Sequence, residues 1–278
     1  MHMVHRCLSG AALLALGAAS AQADLLEDAR ESGQITVGIA NEAPYGYVTP
    51  EGELTGEAPE IAKHILGEMG IDEVEAVVTE FGSLIPGLHA GRFDMVAAGM
   101  FITPQRCEQV AFSEPTYGIG QAFLVAEGNP KSLNTFDDIE GAEATLAVMA
   151  GAIERTYARD AGVPDDQVMV VPDTAAGTAA VQAGRADAFA LTSLSIRRLA
   201  EGAAGVEMAD AFSEVAGQSV KGHGGFAFRP DDQAFLEAFN AALAEFIGAE
   251  EHLALVAPFG WTKDELPEMT TEELCAGQ

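Results

Sequence analysis

Short apolar strands alternate with amphipathic helices over residues 35–99, and the same alternation starts afresh at Thr145. Residues 35–39 are read as a buried strand. Ala58, Ile61, Ala62, Ile65, Leu66 and Met69 then recur at helical spacing across residues 56–69. A strand over 75–79, a helix carrying Leu84, Ile85 and Leu88, a turn at Gly91 and a strand over 94–99 complete the first series. The second series has strands at 145–149, 167–171 and 187–191, with helices at 151–161, 174–183 and 193–200. This grammar belongs to parallel sheets covered by helices. An apolar stretch over 120–127 reads as a segment crossing between the two series. A Gly-rich joint near 217–225 leads back to a strand over 225–228 and a long helix over 231–246, with Phe235, Leu236, Phe239, Leu243 and Phe246 on one face. Two α/β lobes joined by two strands is the simplest assembly, and a single doubly wound domain is the alternative.

The N-terminus carries the marks of an export signal. His2, His5 and Arg6 form a basic start, Leu8 to Ala19 is apolar, and Ala21-Gln22-Ala23 gives a small-x-small cleavage pattern. The run is shorter than the roughly 20 apolar residues a membrane span needs. Cys7 precedes it, where a lipoprotein cysteine would not sit. The expectation is a soluble periplasmic protein, cut near Ala23, that works as a monomer.

Charge excludes one class of partner. The chain has 14 Lys+Arg against 43 Asp+Glu, and losing Arg6 with the leader leaves 13 basic residues. So acidic a surface repels phosphate backbones and anionic lipids, which argues against nucleic acid as a partner. The mature region keeps two of three cysteines, Cys107 and Cys275. In an oxidising compartment we expect them to be bridged, with two separate buried thiols as the alternative. No His or Cys stands at metal-ligand spacing beside either one.

Several short motifs follow one another in a telling order. They are residues 38–47, Leu54-Thr55-Gly56, Phe81-Gly82-Ser83-Leu84-Ile85-Pro86-Gly87-Leu88, Gly91-Arg92-Phe93-Asp94, Thr103-Pro104-Gln105-Arg106 and Phe112-Ser113. Gly184-Arg185-Ala186-Asp187-Ala188 continues the series. The chain resembles the polar-amino-acid group of bacterial solute-binding proteins (family 3) that serve ABC transporters. Asn41-Glu42-Ala43-Pro44-Tyr45, with Phe81, Phe101 and Arg106, resembles the ectoine/hydroxyectoine-binding branch. The resemblance implies a two-lobed periplasmic-binding-protein-like clamp of type II with two hinge strands. It also implies no cofactor, and a membrane permease with its ATPase as partners. Residues 24–124 and 219–278 would form the first lobe and 125–218 the second.

Thr103 and Pro104 favour a helix start that puts Arg106 in its first turn. An arginine fork grips a carboxylate with two hydrogen bonds, and the matching family position holds the ligand carboxylate. Glu42 and Tyr45 lie after the first strand, where parallel sheets bind ligands. Phe81 and Phe101 follow the second and third strands. In the family's amino-acid binders the position of Phe101 usually carries a small hydroxyl residue, so a ring there exchanges a hydrogen bond for a π-face. Tyr45, Phe81 and Phe101 are expected to wall a cation, each contact contributing about 0.5–2 kcal/mol when desolvated.

The second lobe departs from the family pattern. Thr192 replaces the acidic residue that holds an α-ammonium group, and Ala152 and Ile153 replace the Ser-Thr pair after Gly151. Their backbone N–H groups, at an expected helix N-terminus, remain for an anion. The expected ligand set is therefore Glu42, Tyr45, Phe81, Gly99, Phe101, Arg106, Gly151, Ala152, Ile153 and Thr192, with no metal. Its ligand would be a compact zwitterion with a delocalised cation, such as ectoine or hydroxyectoine; a betaine or an ordinary amino acid is the alternative. An enzyme of dehydratase type would need a positioned acid or base. Glu42 is the one pocket candidate, while His223 reads as structural or surface.

Overall fold

In the computed structural model, which describes residues 24–215 and 217–277, the chain forms two α/β lobes, each around its own sheet. The expected export signal lies outside the described residues. In chain order the strands of the two sheets are β1 (Gln34–Ile39), β2 (Glu73–Val78), β3 (Met95–Phe101), β4 (Ala111–Phe112), β5 (Tyr117–Ile119), β6 (Gln121–Ala126), β7 (Leu146–Met149), β8 (Val168–Val171), β9 (Ala188–Thr192), β10 (Val206–Met208) and β11 (Gly222–Phe228). The first sheet has the order β2-β1-β3-β11-β4, with β5 beside β11. The second has the order β8-β7-β9-β6-β10. Within each sheet the strands of the βαβ units run parallel, and the segments leaving or entering the lobe pair antiparallel.

The periodicity of the sequence explains the layers. The helix Glu57–Glu68 buries Ala58, Ile61, Ala62, Ile65 and Leu66, and the helix Gln233–Phe246 buries Phe235, Leu236, Phe239, Leu243 and Phe246. These join Val37, Ile39, Met95 and Ala97 of the first sheet in one core. Each fully buried Leu, Ile or Phe contributes about 1.5–3 kcal/mol. Phe123, Val125, Leu146, Val148, Ala188 and Ala190 form the corresponding core in the second lobe.

The chain crosses between sheets at Gly120, because β5 pairs in the first sheet and β6 in the second. Residues 121–124, which sequence reading puts in the first lobe, thus lie in a strand of the second sheet. The return passes through Val220 into β11, directly alongside: Gly222 pairs with Ile119, and the buried Gln121 side chain donates to the Val220 carbonyl at 3.3 Å. Two adjacent extended segments therefore form the joint.

Two local expectations change. The strand expected over 94–99 runs on to Phe101, so Phe101 is the last residue of β3 rather than part of a following loop. The helix expected from Gly151 begins only at Glu154 (Glu154–Asp160). Gly151 has φ +78°, and the Ala152 N–H closes a turn on the Met149 carbonyl at 3.1 Å. That N–H is consumed by the fold, so Ala152 does not offer the free amide expected of it.

Candidate functional site

The strand ends of both sheets face each other across the joint. β1 leads into a tight loop in which the Glu42 N–H donates to the Gly46 carbonyl while the N–H groups of Tyr45 and Gly46 donate to the Glu42 carbonyl, all at 2.9–3.0 Å. This loop presents Glu42 and Tyr45 to the second lobe. Phe81 opens a 3-10 turn (Phe81–Ser83) after β2. Gly99, with φ +62°, lies under the Tyr45 ring; a Cβ there would fall 2.2 Å from Tyr45 Cδ1. Only glycine lets that ring lie on the strand.

These residues line a cavity of about 30 Å³ together with Phe101, Arg106, Ala152, Ile153 and Thr192. Nine of the ten residues expected from sequence therefore share one space. Gly151, the tenth, lines no part of it, but its carbonyl accepts from Arg106 Nη2 at 3.0 Å. Met149, Glu154 and Leu191 complete the wall and were not expected. So small a space has room for about one or two waters, so a solute enters only when the lobes part.

Arg106 is held firmly. Thr103 caps the helix Pro104–Cys107, and Arg106 Nη1 donates to the Phe101 carbonyl at 2.7 Å. The guanidinium carbon lies 5.4 Å from the Phe81 ring centroid. Phe81 thus stands beside the arginine while lining the same cavity as Tyr45 and Phe101. Burial lowers the Arg106 pKa from its ordinary value, opposed mainly by Glu154.

Polar links from Tyr45, Ser195 and Arg106 join the lobes, Ser195 Oγ also reaching the Ala43 carbonyl at 3.4 Å. Tyr45 Oη donates to Thr192 Oγ1 at 2.9 Å, Ser195 Oγ donates to Glu42 Oε1 at 2.6 Å, and Arg106 reaches the Gly151 carbonyl. Burial pushes the Glu42 carboxyl up to about 7, with the Ser195 bond opposing. Ser195 escaped sequence reading because it sits inside the helix Ser193–Gly202, where a serine between apolar residues carries no signal. Behind Tyr45 stand Tyr117 and Trp261, whose ring centroids are 5.4 and 5.5 Å from the Tyr45 ring. They fix its position from within the first lobe.

The niche has two acids, which corrects the expectation of one. Glu154 is buried on the cavity wall, pushed up to about 8 by burial. Its place in the first turn of a helix hides it in the sequence, since acidic residues are common there for dipole reasons.

Where the lobes meet, backbone touches backbone. A Cβ on Gly151 would lie 2.5 Å from Gly82 Cα. Gly151→Ala is expected to stop the lobes short of this approach and weaken ligand binding about tenfold or more, the equivalent of about 1.4 kcal/mol. Gly184→Ala, at φ +64° with open space around it, controls for the cost of left-handed backbone, about 1–2 kcal/mol. Small-angle scattering with and without ligand reads closure directly, and a Gly151→Ala protein that closes like the wild type sinks the expectation.

Cys107 and Cys275 are disulfide-bonded, with Cα atoms 5.7 Å apart. The bond ties the tail helix Thr271–Ala276 to the residue following Arg106.

Comparison with known proteins places this arrangement. The family profile of bacterial extracellular solute-binding proteins, family 3, matches residues 35–260. A probable amino-acid ABC transporter periplasmic-binding protein of Sinorhizobium fredii is 37% identical over 276 residues, covering 97% of this chain and 92% of the relative. The lysine/arginine/ornithine-binding periplasmic protein of Escherichia coli is 29% identical over 237 residues, covering 82% of this chain and 85% of its own. Among solved structures, EhuB in complex with hydroxyectoine superposes with a TM-score of 0.84 at 36% identity, covering 92% of this chain and 99% of that one. With its two lobes, paired crossing strands and cavity at the strand ends, the chain belongs to the bacterial extracellular solute-binding proteins of family 3, as a periplasmic-binding protein of the amino-acid ABC transporter type.

Proposed function

We propose that this protein captures ectoine or hydroxyectoine in the periplasm and delivers it to an ABC permease and its ATPase. The observation that carries the reading is the meeting of Arg106, Glu42 and the rings of Tyr45 and Phe101 on one small closed cavity. The solute carboxylate accepts from the Arg106 N–H groups that the Phe101 and Gly151 carbonyls do not take. The flat amidinium ring lies against Tyr45 and Phe101, and its N–H edge meets Glu42. The likeness to the structure solved with hydroxyectoine supports the same solute class.

Binding and closure are coupled because the site is divided between lobes. Arg106, Glu42 and the rings belong to the first lobe, while Thr192, Ser195 and Glu154 close over them from the second. A solute that fits stabilises the closed form through contacts that an open form lacks, and the permease reads that form.

The test is a calorimetric screen of ectoine, hydroxyectoine, glycine betaine, proline and polar amino acids. The ectoines are expected to bind most tightly. Phe101→Ser should weaken them about two- to thirtyfold, the loss of a cation–π contact of about 0.5–2 kcal/mol. An ordinary amino acid winning the screen overturns the ligand and leaves the transporter class standing. Chromatography of the same samples for solute turnover separates a binder from a dehydratase, a distinction that two buried carboxyls in one cavity make worth reading.

A further inference from the structure

One carboxyl in the closed cleft has an oxygen that the protein leaves unsatisfied. Glu154 is 3% exposed and lines the cavity shared by Arg106 and Glu42, and its Oε2 has no hydrogen-bond partner. Ala152 and Ile153, just before it, have no polar side-chain atoms, and the Ala152 N–H is committed to Met149. Buried polar atoms in native structures are paired with few exceptions, so an orphan on a cavity wall points to a ligand atom. We propose that Glu154 is a specificity-determining residue that binds the solute as a neutral carboxyl, donating its O–H to the carboxylate held by Arg106, so that capture takes up a proton.

The chemistry favours the neutral form. An ionised Glu154 beside an incoming carboxylate would set two anions against one guanidinium, whereas a protonated one adds a donor to it. An O–H···O⁻ bond is short and about twice as strong as a neutral one. The charged and titratable groups facing Glu154 are Glu42 from the loop after β1, Arg106 from the helix Pro104–Cys107, and Tyr157 on its own helix. Burial drives the rise to about 8, opposed by its own backbone N–H; Glu42 adds to the rise and Arg106 opposes it.

The sign of the pH effect follows. In an open cleft the carboxyl returns to water and toward its ordinary value of 4.5, whereas enclosure between the lobes alone pushes it up to about 8 and a neighbouring solute carboxylate raises it further. The complex then holds one more proton across that window, and affinity falls as pH rises through it, by about tenfold per unit at most. Water keeps Glu42 ionised in the open form, and in the complex the solute cation offsets the burial that otherwise pushes its carboxyl up to about 7, so it exchanges no proton near pH 7.

The inference rests on a carboxylate-bearing solute seated against Arg106. It is tested by calorimetry of ectoine binding to the mature protein at pH 7 in two buffers of different ionisation enthalpy. The wild type is expected to take up close to one proton per ligand. Glu154→Gln, whose amide still donates, should bind with no uptake and an affinity flat from pH 6 to 8. Glu154→Ala should bind about tenfold or more weakly at pH 6, the loss of one bond to a charged group. No uptake by the wild type, equal uptake by Glu154→Gln, or Glu154→Ala binding as tightly as Glu154→Gln overturns the proposal. Ectoine failing to bind the wild type at any pH overturns the ligand assignment alone, and the proton count is then taken with the carboxylate solute that wins the screen.

Discussion

Arg106→Ala is expected to abolish measurable capture of the solute. The guanidinium supplies the cavity's fixed positive charge and is buried against the Phe81 ring and the carbonyls of Phe101 and Gly151. Removing one partner of a buried, hydrogen-bonded charge pair costs about 2–5 kcal/mol, or roughly thirtyfold to several thousandfold in affinity. The substitution also removes one of the polar links across the cleft, so the loss should lie toward the upper end. Arg106→Lys keeps the charge but not the planar fork, and should recover only part of the affinity. Calorimetry on both variants, with circular dichroism to verify the fold, reads the outcome. Wild-type affinity in Arg106→Ala would remove the arginine from the site altogether.

The second large effect concerns stability. Breaking the Cys107–Cys275 bond, by Cys275→Ser or by reduction, is expected to cost about 2–5 kcal/mol, since the bond closes a loop of sequence separation 168 and long loops lose the most unfolded-state entropy on cross-linking. For a chain of this size that corresponds to a fall in Tm of roughly 5–20 °C. The tail helix Thr271–Ala276 has no fully buried residue; besides the bond it is held by Thr271, whose N–H donates to Glu114 at 3.1 Å and whose hydroxyl donates to the Ser113 carbonyl, and by Leu274, half-buried against the core. Solute affinity should change little, because Arg106 is held by the Thr103 cap and by carbonyls that the bond does not touch. Scanning calorimetry with and without reductant, on wild type and variant, separates the two effects. A reductant-insensitive wild-type Tm would contradict the stabilising role.

Most of the lobe architecture was legible because apolar periodicity is a local property. Ile61, Ile65 and Leu66 declare a helix face whatever they pack on, and residues 35–39 declare a buried strand. Errors fell where backbone geometry overrides pattern. Ala152 and Ile153 continue a helical reading, but Gly151 in the left-handed region and the turn onto Met149 delay the helix to Glu154. Phe101 lies beyond the strand expected over 94–99, yet pairing of Phe101 with Gly224 of β11 carries the strand on.

Within the cavity, residues with distinctive chemistry after strand ends could be named in advance: Arg106 by its fork, Tyr45 and Phe101 by their rings, Glu42 by its loop. Ser195 and Glu154 could not, because a serine or glutamate in a helix has the same local signature whether it faces solvent or a cleft. Their importance comes from lobe approach, which sets Ser195 against Glu42 over a sequence separation of 153 and seals Glu154 from water.

The sequence by itself determined the elements, their alternation and the arginine-and-ring chemistry, since these depend on neighbours a few residues apart. Only the tertiary structure decided which polar groups meet across the joint, which ring backs the guanidinium, and that a second carboxyl loses its water. Those outcomes depend on how two separately folded lobes are set together, and desolvation is a property of that enclosure that no stretch of chain carries alone.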